Sequence, residues 1–337
     1  MPPIPPHSTR RALKSIHHIH GAQVSTWTYP ATGRCRGVIL AVHGFRGDHH
    51  GLARIIGQLP DFAIVVPDLP GFGASTPFGA DPAPASGMSG TGAPAGASPA
   101  APSHDVAGYG QVIGALRAQL GLGPDTILLG HSFGTIVAAA YLSRHPGSFA
   151  RLVLINPICE PALEGSQAAM SRAAGAYYAA GDKLPAPLGE ALLRSRLITD
   201  MMSLAMLKSR EPAMRAYVVE QHRRYFSGFT SRATLREAYG ASITATVRDV
   251  AARINEPVLL VVGEHDELGS VKAQRALARI FPRASMRVIE NVGHLIHYEK
   301  AAEAASLIED FLAAEHPWVP RGLPRTLYPA RDRPIAR

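Results

Sequence analysis

Cysteine is nearly absent from this 337-residue chain, which holds only Cys35 and Cys159, and neither belongs to a CxxC pair. That scarcity argues against a disulfide framework and fits a reducing, cytoplasmic location. Long apolar runs are missing as well. Nowhere do about 18 consecutive apolar residues occur, so no membrane span is expected. The stretch from Met1 to His20 is rich in proline and histidine and lacks the apolar core of a signal peptide. Acidic residues are in deficit, 26 against 34 lysines and arginines, for a net charge of +8. The excess sits at the two ends. Residues 1–14 carry Arg10, Arg11 and Lys14 with no acid, and residues 317–337 carry five arginines against Asp332. The body of the chain is close to neutral, so a fold-wide basic groove for nucleic acid is not expected. His17, His18 and His20 cluster, and are read as part of a first strand or its flank rather than as metal ligands.

The chain is otherwise ordinary for a globular protein, with 46% hydrophobic and 18% charged residues. Short apolar runs bounded by Gly or Pro recur at Gly37–His43, Phe62–Pro67, Thr126–Gly130, Leu152–Asn156, Pro257–Gly263 and Ser285–Glu290. Such runs are strands buried on both faces. Helical patterning falls between them, at Leu52–Leu59, Val106–Leu120, Phe133–Arg144, Lys272–Phe281 and Ala301–Ala314. The alternation predicts an α/β fold with a mostly parallel sheet covered on both sides. Two segments interrupt it. Residues 77–103 are almost entirely Ala, Pro, Gly and Ser and read as a disordered insertion. Residues 157–255 show helical patterning only, at Ser166–Ala180, Leu188–Lys208, Ala213–Ser227 and Leu235–Arg253, and read as a helical cap. The expected organisation is an N-terminal extension (1–21), a first core segment (22–156), the cap (157–255), a second core segment (256–316) and a basic tail (317–337).

The sharpest motif is Gly130-His131-Ser132-Phe133-Gly134, between a buried strand and a helix. Gly-x-Ser-x-Gly in that setting is a nucleophile elbow, in which the serine sits on a strained turn and the glycines give the turn room. A serine hydroxyl needs a base. His294, in Asn291-Val292-Gly293-His294 after a strand, can take its proton near neutral pH and return it to a leaving group. Asp266, in Gly263-Glu264-His265-Asp266 after another strand, can orient that imidazole, and the order Ser, Asp, His fits the fold. Glu264 and Glu267 are rival acids; His265, His297, His49 and His50 are rival imidazoles. A tetrahedral oxyanion needs backbone donors, assigned to the N–H groups of Phe133 and of Phe45 in His43-Gly44-Phe45. His43 is expected to brace that turn and, with Gly44, His131 and unidentified cap residues, to border the substrate. Arg46, Asp48, His49 and His50 read equally as pocket rim and as solvated loop.

Taken together, His43-Gly44-Phe45, the segment Pro67-Asp68-Leu69-Pro70-Gly71-Phe72-Gly73-Ala74-Ser75, Gly130–Gly134, Gly263–Asp266 and Asn291–His294 resemble the α/β-hydrolase superfamily over roughly residues 22–76 and 105–314. The resemblance implies an eight-strand-type sheet, a helical cap between the sixth and seventh strands, and no cofactor. It implies a serine hydrolase of the esterase or lipase kind, acting on a small-molecule ester through an acyl-enzyme on Ser132. A thioesterase, a C–C bond hydrolase with the same triad, and a non-catalytic ligand-binding member of the fold are the alternatives. The cap's methionines and aromatics (Met170, Met201, Met202, Met206, Met214, Tyr177, Tyr178, Tyr217, Tyr225, Phe226, Phe229) divide between cap core and pocket wall, and suggest an apolar acyl or alcohol group. Arg223-Arg224 reads as a solvated helix face or as a contact for an acidic group.

Overall fold

A computed structural model of the protein describes residues 10–80, 101–161 and 168–314. The basic tail and the middle of the Ala/Pro/Gly/Ser insertion lie outside the described residues. In chain order the elements are β1 (Leu13–Ile19), β2 (Ala22–Tyr29), β3 (Gly37–Val42), α1 (Ala53–Gly57), β4 (Phe62–Pro67), α2 (Val106–Gln119), β5 (Ile127–His131), α3 (Phe133–Arg144) and β6 (Arg151–Ile155). There follow α4 (Ala168–Lys183), α5 (Ala186–Leu193), α6 (Arg196–Met206), α7 (Pro212–Tyr225) and α8 (Arg232–Thr244), then β7 (Val258–Gly263), α9 (Val271–Ala278), β8 (Ala284–Ile289), α10 (Ile296–Glu299) and α11 (Ala301–Ala314).

The eight strands form one sheet in the order β1-β2-β4-β3-β5-β6-β7-β8. The first two pairings, β1 with β2 and β2 with β4, are antiparallel and the rest are parallel. Every residue of β3, β4, β5, β6 and β7 is buried, because helices cover both faces. Ile136 and Val137 of α3 and Val112 and Leu116 of α2 pack one face, with Leu40, Leu128 and Leu260 beneath them. Ile55 of α1 and Ile308 of α11 pack the other over Ile39, Leu129 and Val261. Helices α4 to α8 lie between the sixth and seventh strands in chain order.

Four departures from the sequence reading have plain causes. The sheet begins at Leu13, inside the segment read as an extension, and β1 is an edge strand whose residues alternate between half-buried and exposed up to Ile19. An edge strand with a wet face carries polar residues at every second position, which hides it among histidines. Arg10 is likewise no free tail charge, since its guanidinium donates to the carbonyls of Tyr29, Pro30, Ile56, Leu59 and Phe62. The helix expected over Leu188–Lys208 breaks at Arg194 and Ser195, where Arg194 turns out to donate to the carbonyls of Ser227 and Phe229. The insertion read from residue 77 is also anchored at its start, where Phe78 is buried against the rings of His104 and Tyr109.

Candidate active site

Strand β5 delivers Ser132 to the carboxyl edge of the sheet, beside the point where the order switches from β4 on one side of β3 to β5 on the other. Open α/β sheets bind ligands at such crevices. Ser132 has φ 52° and ψ −121°, a left-handed conformation that a non-glycine residue adopts only under constraint. The constraint is steric. A Cβ on Gly130 would lie 2.5 Å from the carbonyl oxygen of Gly134, and one on Gly134 would lie 2.2 Å from that of Val42. The turn closes because neither residue has a side chain, and the serine between them projects from its apex.

His294 and Asp266 arrive on the loops after β8 and β7. His294 Nε2 lies 2.8 Å from Ser132 Oγ, and its Nδ1 lies 3.0 Å from Asp266 Oδ1. With Asp266 ionised, Nδ1–H donates to the carboxylate, which leaves Nε2 bare to accept from the serine hydroxyl. Asp266 Oδ1 also accepts from the Leu268 N–H at 2.9 Å. Burial alone would lower the pKa of His294, but the charge and hydrogen bond of Asp266, helped by Glu267, outweigh it and raise it above 6.5. The three groups named from sequence are therefore one hydrogen-bonded chain. None of the rival acids and imidazoles bonds Ser132 or the ring of His294, although Glu267 accepts from the His294 backbone N–H. Glu264 accepts from Asn291 N–H and pairs with exposed His265, Glu267 pairs with Lys208, and His49 and His50 pair with Asp68 and Asp48. His297 stands ring to ring with His131 at 4.0 Å.

Phe45 and Phe133, the residues assigned from sequence as oxyanion donors, line the same cavity as Ser132. Phe133 opens α3, so its N–H is among the four at a helix start without a partner inside the helix. Gly44 precedes Phe45 and approaches Ser132 closely, since a Cβ there would lie 3.2 Å from Ser132 Cβ. His43 holds that turn in place. Its Nδ1 donates to the Gly44 carbonyl at 2.8 Å and its Nε2 accepts from the Leu69 N–H at 3.0 Å. Both nitrogens are thus taken by backbone, and burial lowers its pKa. His131 is buried too, and burial followed by the nearby His294 pushes it down to about 3.

Residues beyond Ser132, His294 and Asp266 also support the site, and of them Asn156 was not singled out by any motif. Asn156, at the end of β6 with φ 45°, donates from Nδ2 to the carbonyls of Gly293 at 3.1 Å and His294 at 2.9 Å. Its Oδ1 accepts from the Gly263 N–H at 2.8 Å. Asp68 is wholly buried and accepts from the backbone and ring of His49, from Trp27 Nε1 and from Ala74 N–H. Burial pushes its carboxyl up, yet those bonds, led by His49, hold it at about 2. Arg46, at φ 60°, is 2% exposed. It donates to the carbonyls of Phe226 and Leu193 and to the Tyr178 hydroxyl, and so ties the turn at Phe45 to three helices above it. The loop from Arg46 to His50 is therefore packed rather than solvated, with His50 stacked on Tyr225 at 3.7 Å. Asp48, His49 and His50 offer ligand atoms within 4.8 Å of one another, but their Asp48 Oδ1 and His49 Nδ1 already serve hydrogen bonds.

A cavity of about 260 Å³ opens over Ser132 and His294, lined mainly by apolar groups. Its cap wall includes Tyr178, Met202, Met206, Phe226 and Tyr239. Met214 is buried in the cap instead and Met201 points outward; the side chain of Met170 lies outside the described residues. Arg223 pairs with Asp200 and Arg224 with Glu220 at the surface, away from the cavity. Among the described residues, no helix is long and apolar enough to cross a membrane.

Comparison with known proteins agrees with this architecture. The model of the alpha/beta hydrolase fold family matches residues 37–301. Lipase 1 of Psychrobacter immobilis is 22% identical over 288 residues, covering 81% of this chain and 76% of its own length. The sn-1-specific diacylglycerol lipase ABHD11 of Mus musculus is 24% identical over 219 residues, covering 65% and 68%. Among solved structures, a thermophilic esterase from Thermogutta terrifontis superposes with a TM-score of 0.65 at 20% identity, over 90% of this chain and 98% of that one. An enol-lactonase from Burkholderia xenovorans gives 0.66 at 17% identity, over 88% and 99%.

Proposed function

The chain belongs to the α/β-hydrolase fold family, and from that premise and the geometry around Ser132 we propose that it is a serine hydrolase cleaving carboxylic esters. The observation that carries the reading is the buried chain of hydrogen bonds from Asp266 through His294 to Ser132. Ser132 Oγ attacks the ester carbonyl carbon while its proton passes to His294 Nε2. The tetrahedral oxyanion accepts from the N–H groups of Phe45 and Phe133, each worth about 3–4 kcal/mol of barrier. The C–O bond of the leaving alcohol then breaks, and the imidazolium returns the proton to that oxygen. Asp266 keeps its charge throughout, holding the tautomer and stabilising the imidazolium. Water, deprotonated by His294, attacks the acyl-enzyme on the same path and releases the acid.

The apolar cavity beside Ser132 supports an ester with a medium-sized hydrocarbon part. The kinship with lipases and the fold shared with esterases point the same way, without naming a substrate. A direct test is labelling with a fluorophosphonate followed by peptide mass analysis. The expected adduct is on Ser132, and is lost when Asp266 and His294 are both replaced by alanine. An unlabelled wild type would overturn the assignment of the nucleophile.

A further inference from the structure

Ser132 stands where two cavities meet, with Phe45, Met206 and Phe226 bordering both. The smaller, of about 70 Å³, lies between the His43-Gly44 turn and the cap, and its wall carries His131, Gln221, His222 and His297. These four side chains are respectively 6%, 2%, 5% and 6% exposed. Three polar atoms among them, His131 Nε2, Gln221 Oε1 and His297 Nδ1, have no hydrogen-bond partner among the described residues. Buried polar atoms are normally paired, so three without partners in the residues of one wall mark that wall as short of hydrogen bonds.

The wall offers hydrogen bonds without charge. His222 Nδ1 lies 2.6 Å from Ser203 Oγ, whose own hydrogen goes to the Thr199 carbonyl at 2.6 Å. Nδ1 must then donate, which leaves His222 Nε2 as a bare acceptor. Burial lowers His131 to about 3 and His222 to about 4, and pushes His297 well below 6.5. All three imidazoles are neutral at neutral pH, each with one donor and one acceptor nitrogen. Asp48 also borders the space, but its Oδ1 is occupied by the backbone and ring N–H of His50. A carboxylate entering here would meet no cation on the wall, and would face Asp48.

We propose that this small lobe is a subsite for a short, uncharged hydrogen-bonding group, a hydroxyl or primary amide, carried on the substrate next to the bond that is cleaved. The apolar remainder of the substrate then occupies the large cavity. The inference rests on the ester-hydrolase reading and specifies the substrate class, a hydroxylated or amide-bearing ester rather than a plain hydrocarbon one. The group can belong to the alcohol or to the acid.

The test compares kcat/KM within matched pairs, each corrected for the rate of alkaline hydrolysis. One pair is 2,3-dihydroxypropyl against n-propyl octanoate, and the other octyl glycolate against octyl propanoate. p-Nitrophenyl octanoate is the common reference. The hydroxylated member should be preferred by at least ~10-fold in one pair, because a site that pairs a hydroxyl rejects the analogue lacking it. Which pair responds tells which side of the ester enters the lobe. In Gln221→Leu and in His297→Phe the same ratio should fall toward one. Because each ratio is taken on one protein sample, a partly misfolded variant does not distort it. Absence of preference in both pairs, with Ser132-dependent turnover of the reference intact, would overturn the proposal and leave the ester reading standing. A preference that survives both variants, or one for the oxalate monoester over the glycolate, would overturn it too. No turnover of any substrate, reference included, would overturn the ester reading and the subsite with it.

Discussion

Asn156 Nδ2 donates to the main-chain carbonyl of His294 at 2.9 Å while its Oδ1 accepts from Gly263 N–H at 2.8 Å, so one buried amide ties together the loops that carry His294 and Asp266. The side chain does not touch Ser132 or the His294 ring, yet it holds the loop of His294 against the loop of Asp266. Asn156→Ala should lower kcat by about 10²-fold, the usual cost of misplacing a reacting group by about 1 Å. KM should change little, because Asn156 does not line either cavity. Steady-state kinetics on a p-nitrophenyl ester checks this, and an unchanged kcat would remove Asn156 from the positioning machinery.

The pH profile follows from His294. The imidazole must be neutral at Nε2 to accept the serine proton, and Asp266 raises its pKa above the ordinary 6.5. The rate is therefore lost as pH falls through that raised value. The acid limb of kcat/KM should be centred above 6.5, and Asp266→Asn should weaken activity by about 10⁴-fold by removing the charge and the tautomer preference. Initial rates from pH 5 to 9 measure both.

Stability should respond to pH in the opposite sense from a paired histidine. His131 and His222 have folded values of about 3 and about 4, lowered chiefly by burial. Below 6.5 the unfolded chain binds protons at these sites and the native state does not, so stability falls as pH drops from about 6.5 toward 4. Each group contributes up to about 1.4 kcal/mol per pH unit over that window. Urea titrations at pH 7, 6 and 5 should show the loss, with a smaller slope in His222→Phe.

Two glycines make a matched steric test. A Cβ on Gly134 would meet the Val42 carbonyl oxygen at 2.2 Å, whereas one on Gly240 in α8 would meet nothing within 4 Å. Gly134→Ala should cost about 3 kcal/mol or more, since backbone cannot move aside cheaply. Gly240→Ala should be neutral or gain about 0.5–1 kcal/mol from helix propensity. Urea midpoints at constant m decide both.

The pattern that made Ser132, Asp266 and His294 legible in sequence is local: each follows a strand-like run, buried in β5 and β7 and half-buried in the edge strand β8, and the elbow needs glycines at fixed offsets. Strands buried on both faces announce themselves by composition, so β3 to β7 are visible within a residue or two; β8 is visible too, but it is an edge strand in which only Ile289 is buried, not the doubly covered strand its composition suggested. The edge strand β1 showed only through His17, His18 and His20, read as part of a first strand or its flank, and its start at Leu13 did not, because its residues alternate between half-buried and exposed up to Ile19. Arg10 reads as a tail charge because a formal charge carries no information about the five carbonyls that surround it. Asn156 was silent for a related reason. Its partners lie 107 and 138 positions away in sequence, and a single asparagine at a strand end has no period to detect. Arg46 and the walls of both cavities likewise depend on how the helices between β6 and β7 seat over the sheet. Helical periodicity shows which face is apolar and not which neighbour it meets.

The most direct measurement is hydrolysis of p-nitrophenyl esters from acetyl to decanoyl by the wild type and by Ser132→Ala. The account predicts turnover with an optimum at a medium chain length, set by the apolar cavity, and a fall of about 10⁴-fold or more in the variant. Equal rates in the two proteins, or no turnover by a folded wild type, would contradict it.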